Sequence, residues 1–271
     1  MKRLSQARST AGIIRDTFEV YGRNFRVIFI ASLVSLPFAV LQDAAMVRGV
    51  VDGESPAPYH LPVAVIGLSV NYVASLFATS LVTITVSYAY KGFTPSLSRT
   101  FRRLAGLPLG KMLLTYVPFL LLPIGAAYLV QFAYESLEGP GLLQPAVTAV
   151  VAFAALAFIT LTLFIPCVVV IEAGWGWPAY RRSAALGGYQ LRFFLRHLLL
   201  VLAYIVFYVV SLAVTFFVVR AINWTAGSVF KNLLLAFVGP LGSVCVALLY
   251  NDICIRKEGR GYVEFEDVMQ D

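Results

Sequence analysis

Charge is what this chain has least of. Asp, Glu, Lys and Arg make up 13% of its 271 residues, where an ordinary soluble domain carries about a quarter. With 59% apolar residues, that scarcity excludes a soluble globular domain, a disordered chain and a coiled coil. Cysteine is nearly absent too. Cys167, Cys245 and Cys254 all fall inside or at the ends of apolar segments, which points to small buried hydrophobes and to neither a disulfide framework nor a metal site. The two histidines, His60 and His197, lie on opposite sides of the expected topology and cannot share a site. There is no phosphate-binding Gly-Lys loop, no His-Glu zinc motif and no Gly-x-Ser-x-Gly elbow. The expectation is therefore a protein without catalytic residues, metal or cofactor.

Ionisable groups are also missing from the centres of the long apolar segments. Asp43, Glu135, Glu172 and Asp252 fall near segment ends. A proton relay or voltage sensor would need such groups inside the membrane, so ion-coupled transport of a charged solute is disfavoured.

What the chain does have is six apolar segments, approximately Phe25–Val47, Leu61–Tyr90, Leu107–Glu135, Leu142–Ile171, Leu191–Val219 and Ser228–Ile255. Each is long enough to cross a hydrocarbon core of about 30 Å at about 1.5 Å per residue. The basic residues fix the orientation. Lys2, Arg3, Arg8, Arg15, Arg23 and Arg26 precede the first segment, and Lys91, Arg99, Arg102, Arg103 and Lys111 lie in the second connection. Arg181, Arg182, Arg192 and Arg196 lie in the fourth connection, and Arg256, Lys257 and Arg260 follow the sixth segment. Only Arg48, Arg220 and Lys231 lie on the other side. Both termini are expected on the cytoplasmic side, and the net charge of +7 suits an anionic inner leaflet rather than a nucleic acid.

The fold class expected is an all-α polytopic membrane bundle of six transmembrane helices with short amphipathic interfacial helices. It forms one integral membrane domain: a cytoplasmic amphipathic segment over 1–24, the bundle over 25–255 and a short tail over 256–271.

Each cytoplasmic segment begins with an amphipathic stretch. Ile14, Phe18, Tyr21 and Phe25 share one face, with Arg15, Glu19 and Arg23 as a charge ladder. Thr94 and Pro95 suit a helix start before Leu97, Phe101 and Leu104. Pro178 suits a third start, with Gly187-Gly188 as its end. Arg15, Arg99 and Arg182 mark equivalent places 84 and 83 residues apart. A threefold hairpin repeat accounts for that spacing. So does the simpler rule that any two-span hairpin here needs a basic amphipathic lead-in.

Inside the second span, Gly67, Asn71, Ser75, Thr79, Thr83 and Ser87 recur every four residues, and Gly239, Ser243, Ala247 and Asn251 do the same in the sixth. Small residues let helices approach closely, so a packing seam is favoured. The alternative is a polar interior stripe (Asn71, Ser75, Thr79, Thr83, Ser243, Asn251), extended by Tyr204, Tyr208, Ser211 and Thr215 of the fifth span. Pro37 and Pro240 should kink their spans near mid-bilayer.

At the inner rim, Glu172 precedes Gly174-Trp175-Gly176-Trp177-Pro178 and then Arg181-Arg182. Trp175 and Trp177 suit the interface. Asp252 should seek a cation, and Arg181 or Arg182 is the expected partner; otherwise these arginines bind a lipid phosphate or a partner's acidic segment. Arg99, Arg102, Arg103, Trp175 and Trp177 are candidate lipid contacts.

Two runs carry a resemblance. Ala179-Tyr180-Arg181-Arg182-Ser183-Ala184-Ala185-Leu186-Gly187-Gly188 is similar to an "AL-x-RS-x-x-L-x-x-G" segment, and Leu249-Tyr250-Asn251-Asp252 with Arg256-Lys257-Glu258-Gly259 is similar to a closing "Y-x-D-x-R-x-R-x-E-G" pattern. Cys254 stands where that pattern has its first basic residue. Both belong to the six-span membrane domain found ahead of some glycerophosphodiester phosphodiesterases and in stand-alone prokaryotic membrane proteins. The resemblance implies the six-span fold and no catalytic activity, because in the fused enzymes the chemistry belongs to a soluble barrel.

The expected role is that of a non-enzymatic scaffold or accessory organising anionic membrane lipid or a membrane-protein partner. Two readings compete with it. One is a transporter or lipid-translocating path along the second, fifth and sixth spans. The other is a membrane-embedded lipid enzyme at the inner rim.

Overall fold

The computed structural model describes residues 8–51, 60–118, 161–191 and 224–259, with single positions at 121, 125, 146, 147, 149–151, 154, 158 and 210. Among the described residues the chain is helical throughout, with no strand. Three stretches are long and apolar enough to cross a membrane: Phe25–Asp43, Ser69–Tyr90 and Ala226–Glu258. They fall in the first, second and sixth predicted spans. About half of the third predicted span, most of the fourth before Leu161 and all but one position of the fifth beyond Leu191 lie outside the described residues, as does the threefold repeat that depends on them.

Helix α1 (Thr10–Arg23) starts at Ser9, whose Oγ accepts the Gly12 N–H at 3.1 Å, and carries the Arg23–Glu19 pair at 2.8 Å on its exposed side. Asn24 ends it, and α2 (Phe25–Ser32) follows at once. Pro37 then leaves its mark. It cannot donate to the Leu33 carbonyl, and the chain tightens to a 3₁₀ turn over Leu33–Ser35 before α3 (Leu36–Val51) resumes. The first span is thus a broken helix.

Helix α4 (His60–Tyr90) is the central element: every residue from Ser80 to Ser87 is buried. It packs against α2 and α3, against α6 (Ile165–Ile171) and against α8 (Trp224–Glu258). The core lies where α4, α6 and α8 meet. Leu81, Val82, Ile84 and Val86 of α4 pack there with Val168–Ile171 of α6 and with Val244, Ala247 and Leu248 of α8.

Pro240 lies inside α8 and lacks the N–H that would pair with the Ala236 carbonyl. A hydroxyl of the first span reaches it. Ser32 Oγ lies 2.7 Å from that carbonyl and 2.6 Å from the Phe29 carbonyl of its own helix, so the two share its one proton, and Tyr21 donates its hydroxyl to the neighbouring Phe237 carbonyl. Phe25, Phe29 and Phe237 cluster beside this contact.

Two expected helix boundaries are corrected. Helix α5 (Leu97–Gly106) is capped by Ser96, whose Oγ accepts the Arg99 N–H at 3.3 Å, and not by Thr94. Ser96 holds the extended backbone that a cap requires, immediately before the first helical residue. Helix α7 (Trp177–Leu191) runs through Gly187-Gly188. Leu186 and Gly187 are buried there, and packing outweighs the glycine penalty of about 1 kcal/mol each.

Before α6 the fourth predicted span breaks at Leu163–Phe164. Ser183 of α7 bridges the break: its Oγ accepts the Phe164 N–H at 3.2 Å and donates to the Leu161 carbonyl at 2.8 Å.

Candidate functional site

The polar stripe of α4 meets that of α8. Thr79 and Ser243 face one another with hydroxyls 3.2 Å apart. Ser75 donates to the Asn71 carbonyl at 2.9 Å and Thr83 to the Thr79 carbonyl at 2.8 Å, while Thr83 also approaches Cys167 at 3.9 Å. A hydroxyl has one proton, and here Ser75 and Thr83 give theirs to the helix they sit on. That arrangement makes a close helix–helix seam. Asn71 donates to Gln42 Oε1 at 2.7 Å, and its own Oδ1 is buried with no partner among the described residues. Asn251, two turns beyond Ser243, is buried. The fifth-span residues Tyr204, Tyr208, Ser211 and Thr215, which would complete a path, lie outside the described residues.

Charges gather at the two ends of α8. Lys231 and Asp252 are separated by about 32 Å of helix, close to the thickness of a hydrocarbon core. At the Lys231 end, Asp43 is buried and takes three donors: Lys231 Nζ at 2.6 Å, Ser228 Oγ at 2.7 Å and Asn232 Nδ2 at 2.7 Å. This cluster is missing from the sequence reading, which places Asp43 merely near a span end. The signal was present: Ser228, Lys231 and Asn232 follow an i, i+3, i+4 pattern that puts all three on one helix face.

At the other end two separate networks form, and the expected Asp252 pairing is corrected. Asp252 pairs with Arg256 at 2.7 Å and accepts the Arg8 backbone N–H at 2.6 Å. Arg256 in turn donates to the Arg8 carbonyl. The Arg8 guanidinium lies 2.7 Å from Asp16, donates to the Tyr90 hydroxyl and sits 5.2 Å from the centre of that ring.

Arg182 belongs to the second network. It binds Glu172 with contacts of 2.7–3.0 Å and also holds both oxygens of Glu258, one of them at 2.8 Å. Tyr250 donates to Glu172 as well. The hydrogen bonds to Glu258, then those to Glu172, hold Arg182 well above the ordinary guanidinium value, against the opposing effect of burial. Burial raises the Tyr180 hydroxyl beside it. Helical geometry explains the separation. At about 100° per residue, Asp252 and Arg256 share a face, whereas Asp252 and Glu258 point about 120° apart. One face therefore meets the N-terminal segment and the other meets α7.

The remaining predicted contacts lie on the surface. On α1, Arg15 and Arg23 are exposed around Phe18; on α5, Arg99 and Arg102 are exposed around Phe101, with Arg103 half-buried. On α7, Arg181 is exposed beside Trp177, which keeps 73% of its surface accessible, while Trp175 is half-buried. Three short helices thus each present arginine next to an exposed aromatic ring.

Comparison with known protein families, with characterised proteins and with solved structures gives no match. The likeness to the six-span domain rests on the two sequence motifs alone.

Proposed function

We propose that this protein is a non-enzymatic scaffold of a prokaryotic plasma membrane that gathers anionic lipid on its cytoplasmic face. In this reading it has six spans and two cytoplasmic termini. The observation that carries it is the repeated pairing on α1, α5 and α7 of exposed arginine with an exposed aromatic side chain. A basic helix with an aromatic face lies in the membrane interface, the ring in the acyl boundary and the guanidinium at the phosphates. Each basic residue near an anionic surface contributes about 1 kcal/mol.

Arg8, Arg182 and Arg256 are already engaged by carboxylates of the protein. The lipid-facing work falls to the exposed arginines on the outer sides of the three helices; of these, Arg15 and Arg23 hold only exposed pairs with Asp16 and Glu19, which are worth little in water. The Thr79–Ser243 contact supports a packed seam between α4 and α8 in preference to a translocation path.

The test neutralises Arg15, Arg23, Arg99 and Arg102 to Gln in one protein and weighs the anionic share of the lipid that co-purifies with it. That share should fall several-fold while the thermal midpoint holds. An unchanged share would refute the scaffold reading.

A further inference from the structure

The three surface helices are not equal, because the start of α7 is tied to a helix that carries an exposed lysine. Residues 109–118 are helical, and Thr115 of that helix ties it to the start of α7. Its Oγ accepts the Gly176 N–H at 2.8 Å and donates to the Lys111 carbonyl at 2.8 Å, while its own carbonyl accepts the Tyr180 hydroxyl at 2.8 Å. Lys111 is therefore two hydrogen bonds away from the residue that precedes Trp177. On α7, Trp177 and Arg181 stand one turn apart on the exposed side, and the Trp177 ring is stacked on Tyr180 at 6.5 Å. Tyr180 is itself hydrogen-bonded to the Thr115 carbonyl.

Lys111 and Arg181 are both exposed, and among the described residues neither has a carboxylate within ion-pair distance. Their neighbour Arg182 has two. The Thr115 contacts thus put Lys111, an exposed cation, on the helix tied to the start of α7, where Trp177 and Arg181 are exposed. Leu114, one turn beyond Lys111 on the same helix face, is exposed and apolar, and so is Leu121 further along the chain. Cations at one end of an exposed apolar strip match an anionic headgroup with its acyl chain below.

We infer that Lys111, Trp177 and Arg181 form a defined seat for the phosphate of one anionic phospholipid, whose chain lies along Leu114 and Leu121. The inference rests on the scaffold reading and sharpens it, because it singles out one of the three surface helices. Lysine supplies a compact point charge, arginine a planar fork for two phosphate oxygens, and the indole N–H a third donor.

The test is native mass spectrometry of the full chain in mild detergent with equal amounts of phosphatidylglycerol and phosphatidylcholine, followed as collisional activation strips bound lipid. Wild type should keep one phosphatidylglycerol to the highest activation. Lys111→Gln with Arg181→Gln should weaken that binding about 30-fold, from about fivefold per cation, and Arg181→Lys, which keeps the charge and loses the fork, should fall between wild type and that variant. The Arg15, Arg23, Arg99 and Arg102 variant should keep this last lipid while losing the weaker ones. Equal retention by the Lys111/Arg181 variant, at an unchanged thermal midpoint, would overturn the seat and leave the scaffold reading to its own test. Displacement of the last lipid by inorganic phosphate at a few millimolar would show that the corner reads free phosphate, and would overturn the lipid assignment.

Discussion

Replacing Asp43 with Ala should be among the most damaging single changes in this protein. Asp43 keeps 8% of its side-chain surface and Lys231 keeps 15%, so the pair lies in the buried regime. Removing the carboxylate strands the ammonium and takes from Ser228 and Asn232 the acceptor they share. Breaking a buried pair by deleting one partner costs about 3–5 kcal/mol, whereas replacing both partners with apolar groups of similar size is often neutral. At the few degrees per kcal/mol typical of chains this size, the single variant should lose on the order of 10 °C in thermal midpoint. Asp43→Leu with Lys231→Met should recover most of that loss. The assay is the midpoint of monodisperse protein in one detergent, measured for wild type, both single variants and the double variant. The reasoning fails if the double variant is as unstable as Asp43→Ala, because the cost would then lie in packing and not in the stranded charge.

Three further outcomes follow from the contacts around the breaks and turns. Ser32→Ala should cost about 1 kcal/mol in wild type and much less in a Pro240→Ala background, where residue 240 regains the N–H that pairs with the Ala236 carbonyl; equal costs in the two backgrounds would remove Ser32 as that carbonyl's donor. Gly176→Ala should lower stability by about 1–2 kcal/mol, since φ is +59° there and no atom within 4 Å would meet the new Cβ, so only backbone strain acts; thermal melting of the variant checks it. Arg182→Lys should destabilise the rim more than Arg181→Lys, because a single ammonium cannot replace two forked contacts to Glu172 and Glu258. Comparing the thermal midpoints of the two variants decides that point.

Much of the architecture was legible in the chain. Scarcity of charge and the length of the apolar segments foretold helices able to cross a membrane, since hydrocarbon leaves a backbone few ways to satisfy its polar groups. The helical stretches Phe25–Asp43, Ser69–Tyr90 and Ala226–Glu258 fall within or close to segments visible by hydropathy. The amphipathic lead-ins were visible as well, because their spacing is a local property of 3.6 residues per turn.

Pairing was not legible. Arg182 could be recognised as a rim residue, but whether it meets Asp252, Glu172 or Glu258 depends on which face of α8 turns toward α7. The same holds for Ser32, whose reach to the Ala236 carbonyl matters because Pro240 of a distant helix leaves that carbonyl without its N–H donor. Asp43 read as a terminal charge until α3 and α8 were set side by side. Sequence by itself determined the properties that arise within one segment: apolarity and periodicity. Tertiary structure alone decided which charges neutralise one another and which, like Lys111 and Arg181, are left facing outward. Coulomb and hydrogen-bond energies act over a few ångströms, and those distances are fixed only when the helices pack.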